Sequence, residues 1–192
     1  MAKNKVEFGI SNLHVGTYTV NDQNTIVMGT PYHQPGAVGF APEQDAENNV
    51  AYADDISYWS EYTEGPFEGD LTVMLFDDEF KTQFLGYVTT NKGGLGQVKN
   101  ATKPNVYIAF EVKGDKEKRR CIFYNCSLGP IGREYNTIED SKEPVNETIP
   151  VTCIGDDASG LTKETLKPGD SGYDTLFTNP SAPGLASDGD SE

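Results

Sequence analysis

Apolar and polar positions alternate with a period of two along much of this 192-residue chain, the spacing of half-buried strands. The clearest stretch is 106–112, where Val106, Ile108, Phe110 and Val112 alternate with Tyr107, Ala109 and Glu111. Residues 113–118 read as a turn and 119–128 as the returning strand, so a hairpin is predicted. Strict alternation there puts Ile122, Tyr124 and Cys126 on one face and Cys121 and Phe123 on the other. Shorter runs predict strands at 6–10, 16–20 and 25–28, with a turn at 21–24. Two more are expected at 37–43 and 49–53, separated by an exposed polar loop at 43–48. Extended chain follows at 56–62, and strands at 131–138 and 147–154. Residues 139–147, which contain Pro144, read as a long loop, and 156–172 as a connection. A closing helical turn is expected at 173–177.

The period changes once. In 69–75, Leu71, Val73 and Leu75 share a strand face. Asp77, Asp78 and Glu79 then supply an acidic helix start, Phe80 and Phe84 sit four apart, and Gly86 fits the position just past a helix end. One short flanking α-helix is predicted at about 77–86. Val, Ile and Thr total 39 against 10 Leu, with 20 Gly and 11 Pro, which favours strands and turns. The expected fold is mainly β, a β-sandwich or partly closed barrel with that one helix. One domain is expected at 1–178. Residues 179–192, rich in Pro, Ser, Gly and Asp, read as an acidic, disordered tail.

Charge divides the chain. The net charge is −15. Residues 6–80 hold 14 acidic residues and no Lys or Arg, residues 81–120 carry +6, and 121–192 carry −9. A chain this acidic does not hold nucleic acid tightly, because phosphate binding needs cations. Separate acidic and basic surfaces suit docking of one subunit on another. The acidic, aromatic segment 37–62, with Tyr58, Trp59 and Tyr62, is one candidate subunit contact. The basic hairpin tip, with Lys116, Lys118, Arg119 and Arg120, is the other.

Little else carries chemistry. An odd count of three Cys (Cys121, Cys126, Cys153) does not make a disulfide framework, and all three are expected as buried thiols. His14 and His33 have no ligand pattern around them, so no metal site is expected. Gly93, Gly94 and Gly96 lack the Lys-Ser/Thr ending of a phosphate loop and read as a turn. The acid pairs Asp54-Asp55 and Asp156-Asp157 have no nearby His, Ser or Lys partner, so no catalytic or cofactor-binding residue is expected. No run of 18 apolar residues provides a membrane-spanning helix. The first residues hold no apolar signal core, so synthesis and retention in a cytoplasm are expected.

Several segments together resemble the major tail proteins, or tail tube proteins, of siphophages of Gram-positive hosts. They are residues 5–12 (KVEFGISN), Gly29-Thr30-Pro31, residues 35–38 (PGAV) and residues 52–56 (YADDI). The strand–helix unit from Gly69 to Gly86, the hairpin return 119–126 (RRCIFYNC) and residues 147–151 (ETIPV) continue the series. The order of these elements covers about residues 3–178.

This resemblance implies a structural virion protein without catalysis, forming hexameric rings that stack into a tail tube. It implies a continuous inner barrel around a channel for DNA ejection, with long loops contacting adjacent rings. The implied partners are further copies of the chain, tape measure, tail terminator and distal tail proteins, and viral DNA in transit without tight binding; no membrane partner is implied. The implied location is the virion tail, assembled in the host cytoplasm. Edges such as 147–154 are then expected to pair across subunits. Two other readings stay open: another virion component (head decoration or tail completion), or a carbohydrate- or receptor-binding β-sandwich with Tyr58, Trp59 and Tyr62 as its platform.

Overall fold

A computed structural model of the chain describes residues 9–135 and 144–185. In order these form β1 (Ile10–Val20), β2 (Ile26–Met28), β3 (Tyr32–His33), β4 (Ala37–Ala53), β5 (Ile56–Val73) and α1 (Asp78–Leu85). There follow β6 (Tyr87–Thr89), β7 (Leu95–Gln97), β8 (Val106–Val112), β9 (Arg120–Leu128), β10 (Gly132–Arg133), β11 (Glu147–Cys153) and β12 (Lys163–Leu166). The fold is mainly β with one short helix, as the sequence predicts.

Ten strands share one antiparallel sheet in the order β2-β1-β8-β9-β11-β5-β4, with β3, β10 and β12 pairing onto β1, β11 and β9. The sheet is not closed into a barrel. It curls until Phe40 of β4 meets Phe110 of β8 and Phe123 of β9 edge-on, with ring centroids 6.1 and 5.2 Å apart. The enclosed face holds the main core, including Leu13, Val15, Leu71, Val73, Ile108, Phe123 and Ile149. The helix plugs it through Phe80, Phe84 and Leu85, and Phe76 stacks on Phe80 at 4.8 Å. Gly86 ends the helix at φ 69°, a left-handed turn that glycine adopts without strain. Asp77 occupies the N-cap position but makes no side-chain cap bond. Its carboxylate instead accepts the Tyr32 hydroxyl at 3.2 Å. Burial and then this bond push the Tyr32 pKa up to about 12.

A second core lies on the outer face of β8 and β9, built from Tyr18, Tyr107, Ile122 and Tyr124 under Leu166, Tyr173 and Leu176. The segment expected as a plain connection (156–172) contributes β12 to this cover. It also provides Asp156, a buried carboxylate that accepts from the Tyr18 hydroxyl at 2.7 Å and, against the expectation of no serine partner, from Ser159 at 2.6 Å.

Asn125 overturns the strict alternation expected for β9. It sits at φ 49° in a bulge, where Val106 pairs with Cys126 but Ile108 pairs with Phe123. The extra residue shifts the frame, so Cys126 joins Cys121 and Phe123 on the main-core face. Asn125 is fixed from both sides: its Oδ1 accepts from Asn105 at 2.7 Å and its Nδ2 donates to Gly155 O at 2.8 Å. In the shifted frame Cys126 lies opposite Cys153 of β11, and the two form a disulfide. Three free thiols were expected; Cys121 alone is free.

Other expectations also change. Residues 37–43 and 49–53 are one strand, β4, with no loop at 43–48, and the extended stretch at 56–62 runs on into β5. The segments expected at 6–10 and 16–20 differ too: residues 10–20 form the single strand β1, and 6–8 lie outside the described residues. Leu75 lies past the end of β5 and is exposed, unlike Leu71 and Val73. The strand at 147–154 is no edge, because β11 is paired with β9 on one side and β5 on the other. Of the strand expected at 131–138, β10 is present and 136–138 lie outside the described residues, as does most of the loop at 139–147. Residues 173–177 form turns whose Tyr173 and Leu176 are buried. Of the tail, 179–185 are described, with Pro180 and Pro183 buried.

Glu147, at the start of β11, is 3% exposed. Its carboxylate accepts the Phe76 amide at 2.8 Å and pairs with Lys81 at 3.4 Å and Arg133 at 3.2 Å. One charge thus ties the β5–α1 corner, the helix and β10 together. Glu147→Ala leaves two cations and an amide without their acceptor, and is expected to cost about 3–5 kcal/mol in urea unfolding. The disulfide has its own check. Without reductant, the folded chain is expected to show no reactive thiol and the unfolded chain one, Cys121; three would refute the Cys126–Cys153 bond.

Candidate assembly interface

Beyond the body, β4 and β5 continue as a two-stranded arm. Only residues 67–73 of β5 pair with β11, so residues 44–66 have no third strand among the described residues. Nearly every residue from Glu43 to Thr63 is exposed. The arm is held by its ladder and by short polar bridges: Asn49 Nδ2 to Thr63 Oγ1 at 3.0 Å, Ser60 Oγ to Asn48 Oδ1 at 2.8 Å, and Gln44 Nε2 to Gly65 O at 2.9 Å. An isolated two-stranded ribbon is marginal in water, because neither face buries apolar area and both edges stay open.

At its base Gly69 lets β4 come close, since a Cβ there would strike the Ala41 carbonyl. At its end Ala53 pairs with Ile56 across a two-residue turn of Asp54 and Asp55. Both turn residues have positive φ, 51° and 60°. Asn-Gly or Asp-Gly is the usual choice for such a turn.

The predicted aromatics all lie on the arm: Tyr58 is 78% exposed, Trp59 48% and Tyr62 66%. The register separates them. Trp59 pairs with Ala51 and Tyr62 with Asn48, three residues apart, so these two side chains emerge on opposite faces. They do not form one flat platform. Tyr58 is the residue left unpaired at a bulge between the Ala51 and Tyr52 pairings. Tyr52 and Ile56 are exposed beside them, and sequence reasoning did not single these out. Their signal was the unbroken absence of Pro and Gly from 43 to 64, which permits one continuous hairpin. Residues 43–68 carry eight acidic side chains and no basic one.

The basic tip divides in two. Arg119 and Arg120 are used inside the subunit. Asp115, 7% exposed, accepts from Arg119 Nε at 2.6 Å and from the Arg119 and Glu117 amides at 3.1 Å. Arg120 bonds Glu111 at 3.1 Å and the Tyr173 carbonyl at 2.5 Å, and its guanidinium lies 4.1 Å over the Tyr173 ring and 4.6 Å over that of Phe177. The Tyr173 hydroxyl donates to Lys118 O at 2.7 Å. Arg119 and Arg120 therefore build the tip and bind the C-terminal turns to it. Lys116 and Lys118, with Lys113, remain exposed and make no ion pair among the described residues. Beside them is a cleft of about 600 Å³ lined by Lys113, Lys118, Arg119, Arg120, Pro168 and Tyr173, among others. The two contact candidates are an acidic, aromatic arm and a lysine-bearing tip. Among the described residues, no group of three or more His, Cys, Asp or Glu is placed to hold a metal ion.

A family model described as phage tail tube protein matches residues 2–168. No curated protein matches the sequence. Among solved structures, the chain is similar to the anti-feeding prophage cap (AFP tube terminating cap), at 10% identity and TM-score 0.45, over 86% of this chain and 96% of that one. It is also similar to a chain of the anti-feeding prophage baseplate, 6-fold symmetrised, at 9% identity and TM-score 0.38, over 88% of this chain and all of that one.

Trp59 is the only tryptophan, so fluorescence reads the arm alone. In the free subunit its emission is expected in the water-exposed range, with strong quenching by acrylamide. A blue, poorly quenched spectrum would mean that the arm folds back on its own body.

Proposed function

The chain belongs to the phage tail tube protein family, and from that premise we propose that it polymerises as stacked hexameric rings into a siphophage tail tube, the conduit for DNA ejection. It is a structural protein of the virion tail, not an enzyme. The observation that carries the tube reading is the arm. A ribbon of residues 44–66 with open edges and aromatics on both faces is an aggregation hazard in a monomer and a ready contact in a polymer. Tyr58, Trp59 and Tyr62 are its apolar anchors, and the lysine tip is the complementary surface.

The charge supports a conduit. Residues 6–80 offer no Lys or Arg, so a channel wall drawn from them gives phosphates nothing to displace counterions for, and DNA passes without sticking. Tape measure, tail terminator and distal tail proteins are the remaining partners of such a tube. Assembly takes place in the host cytoplasm.

The test is negative-stain microscopy of the concentrated protein. Hollow tubes with six-fold end views are expected, and Trp59 emission shifts to the blue as they form. Trp59→Ala is expected to raise the critical concentration about thirtyfold, the ~2 kcal/mol of a buried aromatic anchor. A wild-type chain that stays monodisperse at every concentration and salt would defeat the tube reading. A tube interior as basic as its exterior would defeat the acidic conduit.

A further inference from the structure

The strand register fixes which way the arm points. β9 starts at the basic tip with Arg120 and runs away from it to Leu128. β11 pairs Val151 with Leu128 and Cys153 with Cys126, so it runs back toward the tip. β5 is antiparallel to β11, pairing Glu147 with Val73 and Cys153 with Phe67. Traced backward from Phe67 to Ile56, the arm therefore leaves the body at the end where the tip lies. At about 3.3 Å per residue it reaches on the order of 36 Å beyond Phe67. The opposite end of the body carries Leu128 and Gly129, whose carbonyls accept from Lys103 Nζ at 3.0 and 2.8 Å, and Lys81 beside Glu147.

This placement separates two kinds of contact. Copies related by rotation about an axis along the strands stand side by side at one level, and each presents its tip at the same end as its neighbour's arm. Such a contact joins two different patches and closes into a ring. Copies stacked end to end bring the arm to the opposite end, where Lys81 and Lys103 lie.

The chemistry favours the first arrangement. Lys113, Lys116 and Lys118 are exposed and make no ion pair among the described residues, while Asp115 and Glu111 beside them are already engaged by Arg119 and Arg120. The arm ends in two adjacent carboxylates, Asp54 and Asp55, with Glu61 and Glu64 behind them and no cation from residue 43 to 68. We propose that the Asp54–Asp55 turn of one copy seats on Lys113, Lys116 and Lys118 of the copy beside it, making arm and tip the contact that closes each ring. The inference rests on the tube reading above, and it differs from the expectation that long loops serve contacts between rings.

Carbodiimide coupling of assembled full-length chains, mixed from two isotope labels to mark bonds between copies, tests it. Bonds from Asp54 or Asp55 to Lys113, Lys116 or Lys118 of another copy are expected. Bonds from these carboxylates to Lys81 or Lys103 instead, or none to the tip, overturn the proposal. Charge exchange gives a second reading. D54K/D55K and K113E/K116E/K118E are each expected to cut assembly about tenfold or more near ~0.1 M salt, less at high salt, with circular dichroism unchanged. Combining all five substitutions in one chain is expected to restore it. Tubes from the unmodified chain with unaffected variants overturn this contact alone; no tubes from the unmodified chain overturn the tube reading and the contact together.

Discussion

The body of this protein depends on the frame of β9. That strand pairs with β8 along one side, and on the other with β12 near its start and β11 near its end. It serves two cores at once, with Phe123 facing the inner and Ile122 and Tyr124 the outer. The extra residue at Asn125 makes this possible. Ahead of it the strand faces inward with odd residues; past it Cys126 and Leu128 face inward. Without the bulge, Cys126 would turn away from Cys153 and Leu128 away from the inner core. Asparagine suits the position because it tolerates a left-handed backbone and its amide bonds both neighbours, Asn105 and Gly155.

The body pairs its buried carboxylates internally, whereas the carboxylates of the arm meet no cation among the described residues. Glu147 draws on Lys81 and Arg133, Asp115 on Arg119, and Glu111 on Arg120. Asp156 is held ionised although its burial works against this: burial raises its pKa, and the bonds from Ser159 and Tyr18 more than offset that, leaving it below the usual 3.8. Its network stabilises the fold above that ordinary value and is lost as pH falls through the lower folded one. All three arginines and Lys81 are thereby spent on structure. The exposed cations of the tip gain weight as a surface because their neighbours are neutralised, and no basic residue lies within the arm to offset its carboxylates.

Much of the fold was legible in the chain where burial imposes a pattern. Phe80, Phe84 and Gly86 marked the helix almost to the residue, and the β8–β9 hairpin followed from alternation. Three things were not. The continuity of β4 was hidden because residues 43–49 are polar on both faces, and an arm exposed on both sides has no period to read. The bulge at Asn125 was hidden because a single inserted residue leaves composition unchanged, and with it went the facing of Cys126 and the disulfide. Arg119 and Arg120 looked like free surface charge because one partner of Arg120, Tyr173, lies 53 residues away. The arm's aromatics and the lysines of the tip were visible as a polarity of charge and residue type. Their division between two faces and one end of the body came only from register.

The arm's acidity also governs how its hazard is contained. An open ribbon with exposed Tyr52, Ile56, Tyr58, Trp59 and Tyr62 is free to pair with its own kind, edge to edge, in a two-fold dimer. Such a pair would set six carboxylates against six with no cation between them, and like charges directly opposed across strands are unfavourable. Two tips meeting would bring lysines together in the same way. Both self-complementary contacts are penalised, whereas arm against tip is favoured. A contact between unlike patches leaves each copy with one arm and one tip still open, so it propagates until rotation closes it. The segregation of charge, which as a net value argued only against tight nucleic-acid binding, thus disfavours two-fold dimers and suits the ring proposed above.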